Sequence, residues 1–296
     1  MEDKAKNAGK VAIVLEGGSF RGQFTAGVLD VLMEHRVEVA ACYGTSAGAL
    51  NGLNYKSRQI GRANRVNLAF CNDPRYMGAQ SLITTGSMVG YDFMLNDVQD
   101  RLDPFDNDAY LANPMEMYAC ATDVMFGTAA YLPVRNATLD IDAVRASTSL
   151  PLVTQPVEID GHLYLDGGTA DSVPVEHALE DAGFDRAIVV LTQDRDYVKG
   201  TYGSCRLLSA HTPHIRICWR QWRIVTCATT SSASTFGNMS VRAGHLCWRR
   251  RAPLRWGMSN TMRRSCSICI FRAAKRRLPI LMRYGSSWAN RGWTEA

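Results

Sequence analysis

The chain has 296 residues, of which 46% are hydrophobic and 21% charged, and its formal net charge is +5. These values lie near the averages of globular proteins and exclude collagen-like, coiled-coil and wholly disordered classes. No apolar run approaches the ~20 residues that a membrane-spanning helix needs, and the charged amino terminus has no secretory pattern. We therefore expect a cytoplasmic protein whose nine cysteines are thiols rather than a disulfide framework.

The charge is distributed unevenly along the chain. Residues 1–200 hold 16 Lys/Arg and 27 Asp/Glu, a net charge of −11, whereas residues 201–296 hold 17 Lys/Arg and one Glu, a net charge of +16. All six Trp and six of the nine Cys lie in the second stretch. The sequence therefore predicts a globular domain over 9–200 and a basic tail over 203–296.

The first 200 residues alternate strand-like and helix-like segments. Val11–Leu15 has no polar alternation, which is typical of a strand buried on both faces. After it we predict a helix over 23–35, a strand over 37–43, a helix from Ala49, helices and loops forming a lid over 56–113 with a helical stretch at 94–102, strands over 115–122 and 129–134, a helix over 140–147, a hairpin of 151–159 with 162–165, a helix over 175–182 and a strand over 186–192. Such alternation indicates an α/β sheet with helices on both faces.

A glycine–serine turn follows the second predicted strand. Gly44-Thr45-Ser46-Ala47-Gly48 fits the pattern G-x-S-x-G, with the preceding strand and following helix that a nucleophilic serine requires. The glycines permit a tight turn, and the helix directs its N–H groups and positive dipole end at the serine. Ser46 is therefore a candidate nucleophile, and the alternative is an ordinary strand-to-helix turn.

A second glycine-rich turn follows the first strand. Residues 17–22 fit the dinucleotide pattern G-x-G-x-x-G poorly, because Ser19 stands at its third position and no acidic residue ends the second strand to bind a ribose. The turn can instead supply backbone N–H donors to an oxyanion, each worth ~3–4 kcal/mol in well-studied hydrolases. Arg21 then anchors the loop or an acidic head group; the alternative is a solvated arginine.

A general base is harder to identify. None of the six histidines stands in a distinctive context: His35, His162, His177, His211, His214 and His245. Asp166 ends a predicted strand and precedes Gly167 and Gly168, so we expect its carboxylate at the carboxyl edge of the sheet, where the Ser46 turn also lies. An ordinary aspartate is a weak base, with a pKa of ~3.9. It can still accept a serine proton within hydrogen-bond reach in a site with little water.

Three motifs, in order, resemble the patatin-like phospholipase family: L-E-G-G-S-F-R-G-Q-F-T-A-G-V-L-D, G-T-S-A-G-A-L-N and Y-L-D-G-G. The resemblance covers about 180 residues and implies a three-layer α/β fold with a Ser–Asp dyad, Ser46 as nucleophile and Asp166 as base, without histidine. The oxyanion loop it implies contains Gly17, Gly18, Arg21 and Gly22, with Ser19 where the family has glycine.

The same resemblance implies a substrate and a reaction. We expect hydrolysis of lipid acyl esters of the phospholipase or lysophospholipase type, with no metal or other cofactor. The expected partners are a lipid acyl-ester substrate and a membrane surface contacted peripherally, with no nucleic acid. The alternative is a catalytically inactive lipid- or membrane-binding protein of the same family.

Three interpretations apply to the basic tail. It is a domain that binds anionic membrane or nucleic acid, or it holds half a zinc site at Cys266 and Cys269 without a second pair, or it is translated out of frame. With permitted codons, residues 211–231 and 255–267 can each hide, in another frame, an acid-containing sequence of helical periodicity. We favour the frameshift, and we expect poor order after about Tyr202, because like charge opposes collapse.

Determining the nucleotide sequence across codons 195–210 in several close relatives tests the frameshift. We expect a single-base insertion or deletion in this gene relative to the others. An uninterrupted frame shared by those relatives excludes it.

Overall fold

A computed structural model of the chain describes residue 7, residues 9–193 and the backbone of 268–272. The strands are β1 (Val11–Leu15), β2 (Ala41–Thr45), β3 (Glu116–Asp123), β4 (Ala129–Pro133), β5 (Val157–Ile159), β6 (His162–Asp166), β7 (Arg186–Val190) and β8 (Ile268–Arg272). The α-helices are α1 (Gly22–Glu34), α2 (Ala47–Lys56), α3 (Arg62–Phe70), α4 (Ala79–Thr85), α5 (Asn107–Ala112) and α6 (Ile141–Thr148). The structure also has π-helical segments at Phe93–Leu102 and His177–Asp181, and short 3₁₀ helices at Ser19–Arg21 and Gly167–Thr169.

The strands form one sheet in the order β5-β6-β3-β2-β1-β7-β8, and β4 also pairs with β3. The central strands β3, β2, β1 and β7 run parallel, while β4, β5, β6 and β8 join antiparallel. Ligand sites in sheets of this kind lie outside the carboxyl ends of the parallel strands. The turns after β1 and β2, which contain the two glycine motifs, therefore meet at one edge.

Helices cover both faces of the sheet, because successive residues of a buried strand point to opposite sides. On one face, Ile13 and Leu15 of β1 pack in a buried cluster with side chains of α1, α2 and α6. On the other face, Ala12 and Val14 pack with Val175, Leu179 and Phe184. The predicted three-layer α/β architecture is confirmed.

Helix α2 lies unusually close to the sheet. A Cβ built on Gly48 would lie 2.3 Å from the carbonyl oxygen of Leu15, and one built on Gly52 would lie 2.6 Å from the Cε atom of Met117. Both distances are below any normal carbon contact. At Gly48 the neighbour is backbone, so a side chain there would push the helix outward, whereas at Gly52 the side chain of Met117 would have to shift. Gly48 thus brings the N-terminus of α2, and with it Ser46, against the end of β1.

Most predicted elements are present, and two need correction. The strand expected over 37–43 begins only at Ala41, because the N–H of Val37 donates to the carbonyl of Leu32 and closes the end of α1. The strand expected over 151–159 is confined to Val157–Ile159. The backbone before it turns instead, and the N–H groups of Val153 and Thr154 both donate to the carbonyl of Leu150.

The tail prediction lies almost entirely outside the described residues, as do the proposed zinc half-site at Cys266 and the histidines beyond 200. The exception is β8, which pairs antiparallel with β7 from Arg186 opposite Arg272 to Val190 opposite Ile268. Its presence was not predicted from the sequence. Within the part of the chain that the structure describes, no helix has both the length and the apolar character that crossing a membrane demands.

Replacing Gly48 with alanine should lower the free energy of unfolding by about 1–3 kcal/mol or more, because the new methyl group overlaps backbone atoms of β1. Gly27→Ala is the matched control, since Gly27 lies inside α1 with no atom within 4 Å of an added Cβ. That control should raise the free energy of unfolding by about 0.5–1 kcal/mol. Urea unfolding followed by circular dichroism measures both; equal effects of the two variants would contradict the close packing of α2.

Candidate active site

Ser46 occupies a strained turn between β2 and α2. Its φ is +55° and its ψ is −123°, a combination that costs about 1–3 kcal/mol in a residue with a side chain. The N–H of Ser46 donates to the Oγ atom of Ser147 over 2.9 Å, and that hydroxyl donates to the carbonyl of Cys120 on β3. The strained backbone is thereby tied to the neighbouring strand, and the half-buried Ser46 side chain stands at the N-terminus of α2.

The pairing of β3 brings Asp166 to the same place. Thr45, the last residue of β2, lies opposite Cys120, and Asp166, the last residue of β6, lies opposite Ala121. Since β4 occupies the other edge of β3 at Ala121, β6 continues the edge that β2 uses. Asp166 and the Ser46 turn therefore face adjacent residues of one strand.

Asp166 is held firmly and is only 3% exposed. Its N–H donates to the carbonyl of Ser149 over 2.7 Å, and its own carbonyl accepts from the hydroxyl of Thr122 over 2.8 Å. The Oδ1 atom accepts from the N–H of Gly168 over 2.7 Å. Gly167 packs directly on β3, where an added Cβ would lie 2.1 Å from the Cys120 carbonyl oxygen. These contacts fix the position of the carboxylate.

The glycine loop after β1 contacts the Ser46 turn. A Cβ on Gly17 would lie 3.2 Å from the Cβ atom of Ser46, and the N–H of Gly17 donates to the carbonyl of Ser172 over 3.4 Å. Gly18 precedes the 3₁₀ helix, where the N–H of Arg21 donates to its carbonyl over 3.0 Å. The loop thus lies directly beside Ser46.

Ser19 stands where the resemblance to the family implies glycine, and its backbone has a positive φ. Ser19 adopts a φ of +49°, in the left-handed region that glycine enters without cost and other residues rarely occupy. The loop keeps this conformation with its side chain exposed. Arg21 is also exposed, and Gly22 packs against α2, where an added Cβ would lie 2.9 Å from that of Ala47.

Two carboxylates near the site, the buried Glu16 and the half-buried Asp171, were not predicted from the sequence. Asp171 accepts from the hydroxyl of Tyr131 over 2.9 Å, and its carbonyl accepts from the hydroxyl of Thr45 over 3.1 Å. Burial raises the pKa of Asp171, against the opposing effect of the Tyr131 hydrogen bond. Burial likewise raises the pKa of Glu16, against hydrogen bonds from Thr192 and Gln193. Glu16 directly precedes Gly17, and Asp171 follows Asp166 by five residues; this nearness to the motifs was the only available signal.

The contacts of Ser147 and Ser149 with the site were also not predicted from the sequence. Both residues lie in one run, Ser147-Thr148-Ser149, at the end of α6. Ser147 contacts the Ser46 backbone and Ser149 contacts that of Asp166. Hydroxyl-rich runs at helix ends are common, since such residues bond local backbone groups. Only the fold shows that this run joins the two candidate residues.

The described histidines bond other partners. The Nδ1 atom of His162 lies 3.0 Å from Asp123, that of His177 lies 3.1 Å from Asp181, and that of His35 lies 2.9 Å from the carbonyl of Val31. His162 is also four residues from Asp166 along β6, about 13 Å at ~3.3 Å per residue. Over the described ranges, no three His, Cys, Asp or Glu side chains are grouped to hold a metal ion.

The arrangement has the elements of acyl transfer. A serine at a helix N-terminus, a buried carboxylate that ends the strand at the next position of the same edge of β3, and a glycine loop with backbone N–H groups are residue types that nucleophilic attack on a carbonyl requires. The lid expected over 56–113 reaches the same region, since the hydroxyl groups of Tyr91 and Ser149 lie 3.5 Å apart.

Comparison with known proteins gives consistent matches. The family model of patatin-like phospholipases matches residues 13–179. The uncharacterized protein YjjU of Escherichia coli is 32% identical over 176 residues, which are 57% of this chain and 48% of that protein. The uncharacterized NTE family protein Mb1092c of Mycobacterium bovis is 26% identical over 172 residues, which are 58% of this chain and 46% of that protein. Lysophospholipase NTE1 of Meyerozyma guilliermondii is 28% identical over 179 residues, which are 56% of this chain and 11% of that protein. The chain therefore spans about half the length, or less, of these relatives.

Proposed function

Since this chain belongs to the patatin-like phospholipase family, we propose that it hydrolyses carboxylic ester bonds of lipids, with Ser46 as nucleophile and Asp166 as general base. The observation that carries the proposal is the strained Ser46 turn, which lies beside Asp166 through the shared edge of β3. One relative is named a lysophospholipase, which supports a substrate of the phospholipid or lysophospholipid class.

In the first half of the reaction, the Ser46 oxygen bonds to the ester carbonyl carbon while its proton passes to Asp166. The carbonyl oxygen becomes an oxyanion, for which the glycine loop at 17–22 supplies backbone N–H donors. The tetrahedral intermediate then collapses, the alcohol leaves with the proton held by Asp166, and the acyl group stays on Ser46.

Water completes the cycle. Asp166 takes a proton from the attacking water, whose oxygen bonds to the acyl carbon, and the second oxyanion forms in the same loop. Collapse releases the fatty acid, and the proton returns to the Ser46 oxygen. An aspartate suffices as base because the oxyanion donors lower the energy of the charge that proton removal creates.

An apolar rim near the site fits a lipid substrate. We define the rim as five exposed side chains: Met125, Phe126, Leu150, Leu152 and Leu163. Met125 and Phe126 lie in the turn after β3. Leu163 lies in β6, and its carbonyl accepts from the N–H of Val124, the residue directly after β3. Phe126 is 55% exposed and Leu152 49%.

Leu150 and Leu152 follow Ser149, which bonds the Asp166 backbone. Leu152 has a φ of +74°, which is rare for a bulky residue and keeps its side chain at the surface. Exposed apolar clusters of this kind mark interaction surfaces. The rim would contact the acyl region of a membrane while Ser46 reaches the ester.

Ser46→Ala and Asp166→Asn should each abolish esterase activity on a soluble short-chain p-nitrophenyl ester. We expect losses of at least ~10³-fold for the nucleophile and ~10²–10⁴-fold for the base. A fluorophosphonate probe should label the wild-type chain at Ser46, and mass spectrometry identifies the modified residue.

The matched controls are His162→Ala and His177→Ala, which should keep activity within about threefold because neither side chain contacts the reacting atoms. Loss of activity in a histidine variant with Asp166→Asn still active would show a serine–histidine mechanism. An unlabelled, inactive wild-type chain would instead support the inactive lipid-binding alternative.

A Met125→Ser/Phe126→Ser variant should bind phosphatidylcholine vesicles at least ~10-fold more weakly, since burying each apolar side chain contributes about 1.5–3 kcal/mol. Hydrolysis of the soluble ester should be unchanged. Leu139→Ser is the control, because Leu139 is 80% exposed and lies before the first residue of α6, at the opposite end of that helix from Leu150 and Leu152. Co-sedimentation measures binding; equal losses in both variants would contradict the rim.

A further inference from the structure

Two residues outside the recognised motifs connect the ends of β1 and β7. These strands pair in parallel, with Leu15 opposite Val190. Glu16 follows β1 directly and Thr192 follows β7 by two residues, so both lie at the carboxyl edge of the sheet. Glu16 is 8% exposed and Thr192 2% exposed, and the glycine loop begins at the next residue, Gly17.

The carboxylate of Glu16 fixes the backbone after β7. Its Oε2 atom accepts from the N–H of Thr192 and from the N–H of Gln193 over 3.0 Å, and it lies 3.1 Å from the hydroxyl oxygen of Thr192. Burying a charge costs several kcal/mol unless hydrogen bonds compensate for the lost water. These donors offset part of that cost, although burial still raises the pKa of Glu16, and they hold Thr192 in one position beside the loop.

The hydroxyl of Thr192 reaches the loop itself. Its one proton goes to the carbonyl oxygen of Gly17 over 2.7 Å, which is nearer than the Glu16 oxygen at 3.1 Å. A Cβ on Gly18 would lie 2.5 Å from the same hydroxyl oxygen and 3.1 Å from the Cβ atom of Thr192. Thr192 therefore packs against the peptide that joins Gly17 and Gly18, and only glycine fits at position 18.

The direction of that peptide matters because a trans peptide is planar, with its C=O and N–H groups pointing to opposite sides. When the carbonyl of Gly17 points to Thr192, the N–H of Gly18 points away from Thr192. Gly17 lies next to Ser46, since a Cβ added to Gly17 would be 3.2 Å from the Cβ atom of Ser46. The N–H of Gly17 is already engaged with Ser172, so the N–H of Gly18 is the donor whose direction the Thr192 contact sets.

We propose that Thr192, held in place by Glu16, is a positioning residue that fixes the Gly17–Gly18 peptide so that the Gly18 N–H faces the oxyanion. The inference rests on the proposed ester hydrolysis at Ser46. Without the Thr192 hydroxyl, the peptide can rotate and the oxyanion loses an aligned donor, while substrate binding is unaffected. The effect is on kcat rather than on KM.

The test compares Thr192→Val and Thr192→Ala, which lack the hydroxyl, with Thr192→Ser, which keeps it. On a soluble p-nitrophenyl ester, we expect kcat to fall ~10–100-fold in the valine and alanine variants with KM nearly unchanged, since one oxyanion donor is worth ~10²–10³-fold when removed entirely. Thr192→Ser should recover most of kcat. Thermal unfolding of all three variants identifies any that fails to fold, and two different hydroxyl-free variants guard against that failure.

A pair of inhibitors separates positioning from stability. A trifluoromethyl ketone bonds to the Ser46 oxygen and turns its carbonyl oxygen into an oxyanion, whereas the corresponding secondary alcohol cannot form this adduct. The variants without the hydroxyl should bind the ketone ~10–100-fold more weakly than the wild-type chain, as expected for the loss of an oriented donor. Their affinity for the alcohol should equal that of the wild-type chain.

The outcomes distinguish the two proposals. If the wild-type chain hydrolyses the ester and Thr192→Val keeps the wild-type kcat and ketone affinity, the proposed role of Thr192 is wrong, while the proposed function stands. Activity that follows side-chain volume, with the serine variant impaired and the valine variant intact, also overturns it. A wild-type chain that neither hydrolyses the ester nor reacts with a fluorophosphonate overturns the proposed function itself.

Discussion

The left-handed backbone of Ser46 is the constraint on which the rest of the site depends. A residue with φ of +55° persists only where its surroundings outweigh the strain of about 1–3 kcal/mol. Here Ser147 binds the Ser46 N–H, and the glycines of α2 let the helix begin directly against β1. Each support comes from a different element, so the turn cannot relax without moving the helix, β3 or α6. If Ser46 acts as the proposed nucleophile, a turn held in this way requires no rearrangement when substrate arrives.

The register of β3 with β2 and β6 places Asp166 near the Ser46 turn. Ser46 and Asp166 are 120 positions apart in the sequence, yet β2 and β6 end opposite consecutive residues of β3. A shift of one residue in either pairing would turn the side chains to the other face of the sheet. The contact of Gly167 with the Cys120 carbonyl and the hydrogen bond between Thr122 and the Asp166 carbonyl oppose such a shift.

The sequence predicted those parts of the molecule that local patterns determine. The uninterrupted apolar run of β1, the G-x-S-x-G turn and the helix that follows it are local, and all three are present. The predicted start of β2 was wrong. Val37 is a residue type that favours strands, but its N–H donates to the carbonyl of Leu32 and closes the end of α1. Thr192 carries no motif at all, and its contact with Gly17 depends on β1 and β7 being neighbours, which no short-range pattern indicates.

Three carboxylates near one sheet edge, Glu16, Asp166 and Asp171, raise the question of why Asp166 would serve as the base. Glu16 is occupied by N–H donors after β7, and Asp171 by Tyr131 and the N–H of Val173. In both, the oxygens bond to groups that hold loops together, and proton uptake there would weaken those bonds. Asp166 ends a strand whose neighbour on the same edge of β3 leads directly into Ser46. Position therefore separates the three acids: two stabilise the loops around the site, and the third ends a strand next to the turn of the proposed nucleophile Ser46.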